Sequence, residues 1–147
     1  MAYKGKYIPV NKKKYYGDLN KITYRSLWER QFMVYCDMNE SIISWGSEEI
    51  IIPYRSPLDN RIHKYYPDFI IKVKQKDGST KNMLIEIKPK AQCSPPKINK
   101  RKTKNYLKEV RTWGVNEAKW KAAIEWCNNR KMEFKIITEN ELGLKNK

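Results

Sequence analysis

Histidine, cysteine and acidic side chains are all scarce in this chain of 147 residues, and each shortage argues against a class of function. With one histidine (His63) and three cysteines set far apart at Cys36, Cys93 and Cys127, there is no C-x-x-C pair and no His/Cys ligand set for zinc. The same spacing argues against a disulfide framework, and a reducing cytosol is the natural compartment for such thiols. No stretch approaches the ~20 apolar residues of a membrane span, and the lysine-punctuated N-terminus has no signal-peptide core. Low-complexity tracts and internal repeats are missing too. At this length a single core is expected, with residues 1–20 as a basic, aromatic arm and residues 21–147 as one domain.

The acid shortage is the most informative. Sixteen Asp and Glu face 31 Lys and Arg, giving a net charge of +15. Lysine and arginine that neutralise phosphates release counterions, so an anionic polymer, a nucleic acid bound mainly through its phosphates, is the first partner to expect. The excess is also clustered: Lys97, Lys100, Arg101, Lys102, Lys104, Lys108 and Arg111 are opposed only by Glu109. Lys90 and Arg25 add to the candidate phosphate contacts. In the arm, Lys4, Lys6, Lys12, Lys13 and Lys14 alternate with Tyr3, Tyr7, Tyr15 and Tyr16. That mixture suits stacking on single-stranded or frayed DNA, or an arm that packs across its own domain.

Two runs carry the candidate chemistry: Tyr65-Tyr66-Pro67-Asp68-Phe69-Ile70-Ile71 and Met83-Leu84-Ile85-Glu86-Ile87-Lys88. Both alternate with a period of two, and Lys76-Asp77-Gly78-Ser79 between them is a turn signal, so an antiparallel hairpin is predicted. Matching apolar faces pairs Phe69 with Ile87, Ile71 with Ile85 and Val73 with Met83, which needs a loop with an odd residue count or a bulge. Asp68 then stands opposite Lys88 and Ile70 opposite Glu86, and directly opposite backbones lie ~4.5–5.5 Å apart. Two carboxylates and an ammonium on one face are costly unless a cation joins them. Mg²⁺, with Mn²⁺ able to substitute, suits carboxylates beside a substrate phosphate. Such an ion can activate water while Lys88 orients it, which is a site for hydrolysing phosphodiesters.

The remaining elements frame this pair. Ser26 with Glu29 is a capping box, predicting a helix to about Met38 with Trp28, Phe32, Tyr35 and Cys36 buried. Ile42-Ile43-Ser44-Trp45 and Glu49-Ile50-Ile51-Ile52-Pro53-Tyr54 read as strands, with Pro53 at an edge or strand end. Glu48 and Glu49 are extra carboxylates, of which Glu49 is the one held in reserve for the metal shell. Tyr106, Val110 and Trp113 mark a basic-flanked helix, Gly114 and Asn116 a break and new cap, and Trp120, Ala123, Ile124 and Cys127 a second helix. Phe134–Thr138 is a last strand and Glu139–Leu144 a terminal turn of helix.

Pro67-Asp68 followed by Glu86-Ile87-Lys88 resembles the PD-(D/E)xK nuclease signature, and the order of elements is similar to that of TnsA-type transposon endonucleases. The chain is also similar to the head completion nucleases of T-even-type tailed phages. That likeness rests on Met1-Ala2-Tyr3-Lys4-Gly5-Lys6, Ile22-Thr23-Tyr24-Arg25-Ser26, Trp45-Gly46-Ser47-Glu48, Ile85-Glu86-Ile87-Lys88-Pro89-Lys90 and Trp120-Lys121-Ala122-Ala123. The resemblance implies an α/β, restriction-endonuclease-like core with a mixed central sheet of about five strands flanked by helices. It also implies catalytic roles for Glu29, Asp68, Glu86 and Lys88, with Asp68, Glu86 and the Ile87 carbonyl on the metal. A role in phage head completion on packaged DNA ends would follow, in the cytoplasm of the infected bacterial host or on the virion, with head or portal proteins as partners. A non-catalytic DNA-binding protein of the virion neck and an RNA-binding or ribonuclease module are the alternatives.

Overall fold

The computed structural model describes residues 4–143. Met1, Ala2 and Tyr3, which belong to the resemblance and the arm, and Leu144 of the expected terminal helix lie outside the described residues. The elements are β1 (Gly5–Lys6), β2 (Thr23–Tyr24), α1 (Leu27–Met38), β3 (Ile42–Ser47), β4 (Ile52–Arg55), β5 (Ile62–Tyr65), β6 (Phe69–Lys74), β7 (Thr80–Ile87), α2 (Lys104–Asn128) and β8 (Glu133–Ile137). Strands β3, β6, β7 and β8 make a four-stranded mixed sheet in that order, antiparallel except for the β7–β8 pair. The remaining strands form two separate pairs, β1–β2 and β4–β5, and Pro53 is indeed on an edge.

The central hairpin forms as its alternation predicts, but its register differs by two residues. Phe69 faces Ile85 and Ile71 faces Met83, closing at Lys74 opposite Thr80. The loop is therefore residues 75–79 instead of 75–81, with Gly78 at φ 87° supplying the left-handed turn. Two residues is one full pleat period, so every side chain keeps its expected face. Continuing the register by one residue sets Asp68 opposite Glu86.

Both faces of the sheet are covered. Phe69, Ile71, Ile85 and Ile87 pack with Phe32, Met33 and Cys36 of α1 and with Ile42 and Trp45 of β3. Leu84 packs on the other side with Trp120, Ala123 and Cys127 of α2 and with Ile52, Tyr54 and Tyr65 of the β4–β5 pair. The stripe of α1 is rotated from the expected one: Met33 and Asp37 are buried, whereas Tyr35 is half exposed. The expected break in α2 is absent. An isolated glycine costs a helix only ~1 kcal/mol, and the Trp113–Trp120 edge-to-face contact spans Gly114. After β8 the chain makes hydrogen-bonded turns through Gly143 rather than a helix, because Thr138 and Glu141 bond to each other locally. No described helix is long and apolar enough to cross a membrane.

The N-terminal segment is tied down by Asp37. This buried carboxylate accepts from the Tyr7 hydroxyl at 2.7 Å and from the Val10 and Asn11 amides at 2.8 and 2.9 Å. Tyr7 and Tyr15 are core residues, while Tyr16 remains exposed. Burial alone would raise the Asp37 pKa, but these donors outweigh it and hold the carboxyl below its ordinary range.

Asp37→Ala would strand three donors, and a loss of about 3 kcal/mol, or on the order of 10 °C in melting temperature, is expected. The charged form favours the fold, so its contribution is complete above the ordinary Asp value of about 3.9 and is lost as pH falls through the lower folded value. Thermal melts between pH 6 and pH 2 should show that extra acid loss in the wild type and not in Asp37→Asn; parallel curves would disprove the anchor.

Candidate active site

Pro67 is buried, and Asp68 directly after it enters β6 beside the end of β7. Its Oδ2 accepts from the Ile87 amide at 2.8 Å. In an extended strand a residue's N–H and C=O face the same neighbour, so the Ile87 carbonyl is directed to the Asp68 side as well. Glu86 is 6 % exposed, with Oε1 accepting from the Tyr65 hydroxyl at 2.7 Å and Oε2 lying 3.4 Å from Lys88 Nζ.

Two further carboxylates come from other elements. Glu29 lies in the first turn of α1, where its amide donates to Ser26 Oγ at 3.1 Å. The reciprocal half of the capping box is displaced by one residue: Glu29 Oε1 accepts weakly from the Arg25 amide at 3.4 Å. Glu48 follows β3 in a left-handed conformation with φ 54°, its amide donating to the Asp68 carbonyl at 3.1 Å. Glu29, Glu48 and Asp68 each present an oxygen within 4.8 Å of the others.

This crowding has an electrostatic signature. Asp68 has its pKa pushed well up, first by desolvation and then by the Glu86 and Glu29 charges. Desolvation also raises Glu29, against the pull of Arg25 and Lys88. The guanidinium of Arg25 meets the cluster from outside in an ion pair with Glu48. Oxygen-only donors with too much negative charge fit a hard divalent cation.

The sequence of residues 39–139 matches the family described as TnsA-like endonuclease N terminal. The chain belongs to that family. It is also 42% identical over 146 residues to the head completion nuclease of Enterobacteria phage T4, covering 97% of this chain and 95% of the relative. The TnsA-like match includes Asp68, Glu86 and Lys88, whereas Glu29 lies outside it.

The predicted residues fall into two groups. Glu29, Asp68, Glu86, Ile87 and Lys88 converge at one end of the β6–β7 hairpin, and Arg25 stands at their margin. Lys90 begins a short 3-10 turn, with its amide donating to Glu139 at 2.7 Å. Lys97, Lys100, Arg101, Lys102 and Lys104 are exposed along the approach to α2 and its first residue. His63 is exposed and bonded to Asp59 at 2.8 Å, away from the carboxylates.

The residue held in reserve was the wrong neighbour: Glu49 accepts from Tyr15 at 2.9 Å, and it is Glu48 that faces Asp68. The left-handed conformation of Glu48 itself decides this, which strand periodicity does not register. Tyr65, which holds Glu86, and Lys119 of α2 were missed too. Lys119 carried a readable signal, because it falls on the stripe of Asn116, Trp120 and Ala123 that the helix turns toward the sheet.

Removing one charge from the crowded site should stabilise the protein when no divalent ion is present. Asp68→Asn is expected to raise the metal-free melting temperature at pH 8, by roughly 1–2 kcal/mol in stability. A fall in melting temperature would mean the carboxylates are not in conflict.

Proposed function

We propose that this chain is a Mg²⁺-dependent endodeoxyribonuclease that hydrolyses phosphodiester bonds, with Mn²⁺ able to substitute. The observation that carries the reading is the placing of Asp68, Glu86 and Lys88 on one face of the hairpin, with Glu29 arriving from α1. Asp68, Glu86 and the Ile87 carbonyl would hold the ion, and Glu29 and Glu48 would complete the acidic shell. A bound divalent ion would polarise the phosphoryl oxygen and acidify a water. Lys88, anchored by Glu86, orients the attacking water and offsets charge developing on the phosphate. The Tyr65 hydroxyl keeps its proton, raised by burial and by Glu86, so it positions Glu86 and does not act as a nucleophile.

Lys90, Lys97, Lys100, Arg101, Lys102 and Lys104 would bind backbone phosphates without reading sequence. The relative's name supports a role in completing phage heads, and the role we propose is action on packaged DNA ends in the cytoplasm of the infected bacterial host or on the virion. Head or portal proteins would be the protein partners.

With supercoiled plasmid, Mg²⁺ or Mn²⁺ should support nicking and Ca²⁺ should support binding with little turnover. Asp68→Asn, Glu86→Gln and Lys88→Met should each lower nicking by at least ~10²-fold while salt-sensitive binding persists. Binding without nicking in any divalent ion would leave only a structural DNA-binding role. Equal cleavage of RNA of the same sequence would make the chain a ribonuclease.

A further inference from the structure

Two hollows of about 420 and 250 Å³ lie side by side along α2 and share Lys108 and Asn116 in their lining. The larger is bounded by the loop that follows β7, the smaller by Leu58 in the β4–β5 turn, so together they form a walled groove. Arg111 and Lys119 line the smaller hollow, and Trp113 lines the larger. Glu109 is the one carboxylate among the lining residues.

Two polar side chains of α2, Asn116 and Lys119, line the groove on its inner side. Asn116, 7 % exposed as a residue, lines both hollows, so its amide is placed to meet whatever occupies them. Lys119 is half-buried and forms no ion pair among the described residues; its Nζ lies 5.6 Å from the Tyr65 ring centre and 5.8 Å from that of Tyr54. Desolvation lowers its pKa, as does Lys88, while Glu86 and Asp68 oppose them. Because the Tyr65 hydroxyl holds Glu86, the inner end of the groove abuts the carboxylate site.

We propose that this groove takes a single, unpaired DNA strand and leads it to the carboxylates, an assignment of substrate class that rests on the nuclease reading above. Lys108 and Arg111 hold successive phosphates, and Lys119 holds the phosphate nearest the site. Trp113 offers its ring to a base, and Asn116 offers its amide to a base edge. The unpaired state follows from Trp113: a ring inside a walled groove can meet a base face only when that base has left its stack, and base–aromatic stacking is how unpaired strands are held.

Fluorescence anisotropy on the full chain without divalent ion tests this, using a labelled single strand and the blunt duplex of the same sequence. The single strand should bind at least ~5-fold more tightly, and Lys119→Met should weaken it by about 10-fold and reduce the salt slope by ~0.7, the share of one phosphate. Lys119→Arg should retain most of the affinity, and Lys119→Met should melt as the wild type does, since its stem still covers the tyrosines. Asn116→Ala and the rim variant Arg111→Ala should each weaken the single strand and leave the duplex within 2-fold. Equal affinity for duplex and single strand, or variants that bind the single strand as the wild type does, would overturn the assignment. The two readings fail separately: a chain that cuts nothing but shows these losses keeps the groove, and one that nicks plasmid while the variants bind normally loses it.

Discussion

The antiparallel register of β6 on β7 decides where the carboxylates stand. A slip of β7 by one residue against β6 would turn one strand over relative to the other, leaving Asp68 and Glu86 on opposite faces of the sheet and taking one apolar set off the α1 core. The slip is prevented from both faces, because Phe69, Ile71, Ile85 and Ile87 are committed to the α1 core while Leu84 is committed to the α2 core. The bond from the Ile87 amide to Asp68 Oδ2 then locks the end of the hairpin at the site itself. Glu29, Glu48, Tyr65 and Lys119 are all aimed at a point that this pairing defines.

Strand alternation made the central pair legible because parity is robust: the expected register was two residues out, yet Asp68, Glu86 and Lys88 still shared a face. Family resemblance supplied Glu29, whose local capping role alone would have explained it. Illegible features share a different cause, in that each depends on distant packing. Nothing near Asp37 in the sequence announces that it will bind Tyr7, Val10 and Asn11. The choice of Glu48 over Glu49 hangs on one left-handed residue and on Tyr15 arriving from the N-terminal segment. The backbone there leaves no slack, since a Cβ on Gly46 would meet the Tyr16 carbonyl at 2.7 Å. Gly114 looked like a break because its local cost is visible in the sequence, while the tryptophan contact spanning it is not.

Charge is distributed with opposite signs at two scales. Over the whole surface the excess is positive by 15 charges, enough to attract a polyanion from many directions. At the end of the hairpin it is reversed, with Glu29, Glu48, Asp68 and Glu86 gathered where desolvation strengthens their repulsion. A phosphate drawn in by the basic surface would be repelled at the last step unless cations stood inside the acidic patch. Lys88 and Lys119 are two such cations carried by the chain, and a divalent ion is the natural third.

This local conflict bears on whether the fold is only a scaffold for DNA. A purely structural plug gains from basic surface and loses from like charges held out of water. The chain instead reinforces the conflict: Tyr65 fixes Glu86 from beneath, a strained Glu48 is turned inward, and the Ile87 amide restrains Asp68. Groups held in unfavourable proximity by several independent elements suit a partner that relieves them, and a divalent cation would relieve four carboxylates of this kind. The geometry therefore favours chemistry at this site over passive binding, in keeping with the endonuclease family to which the chain belongs.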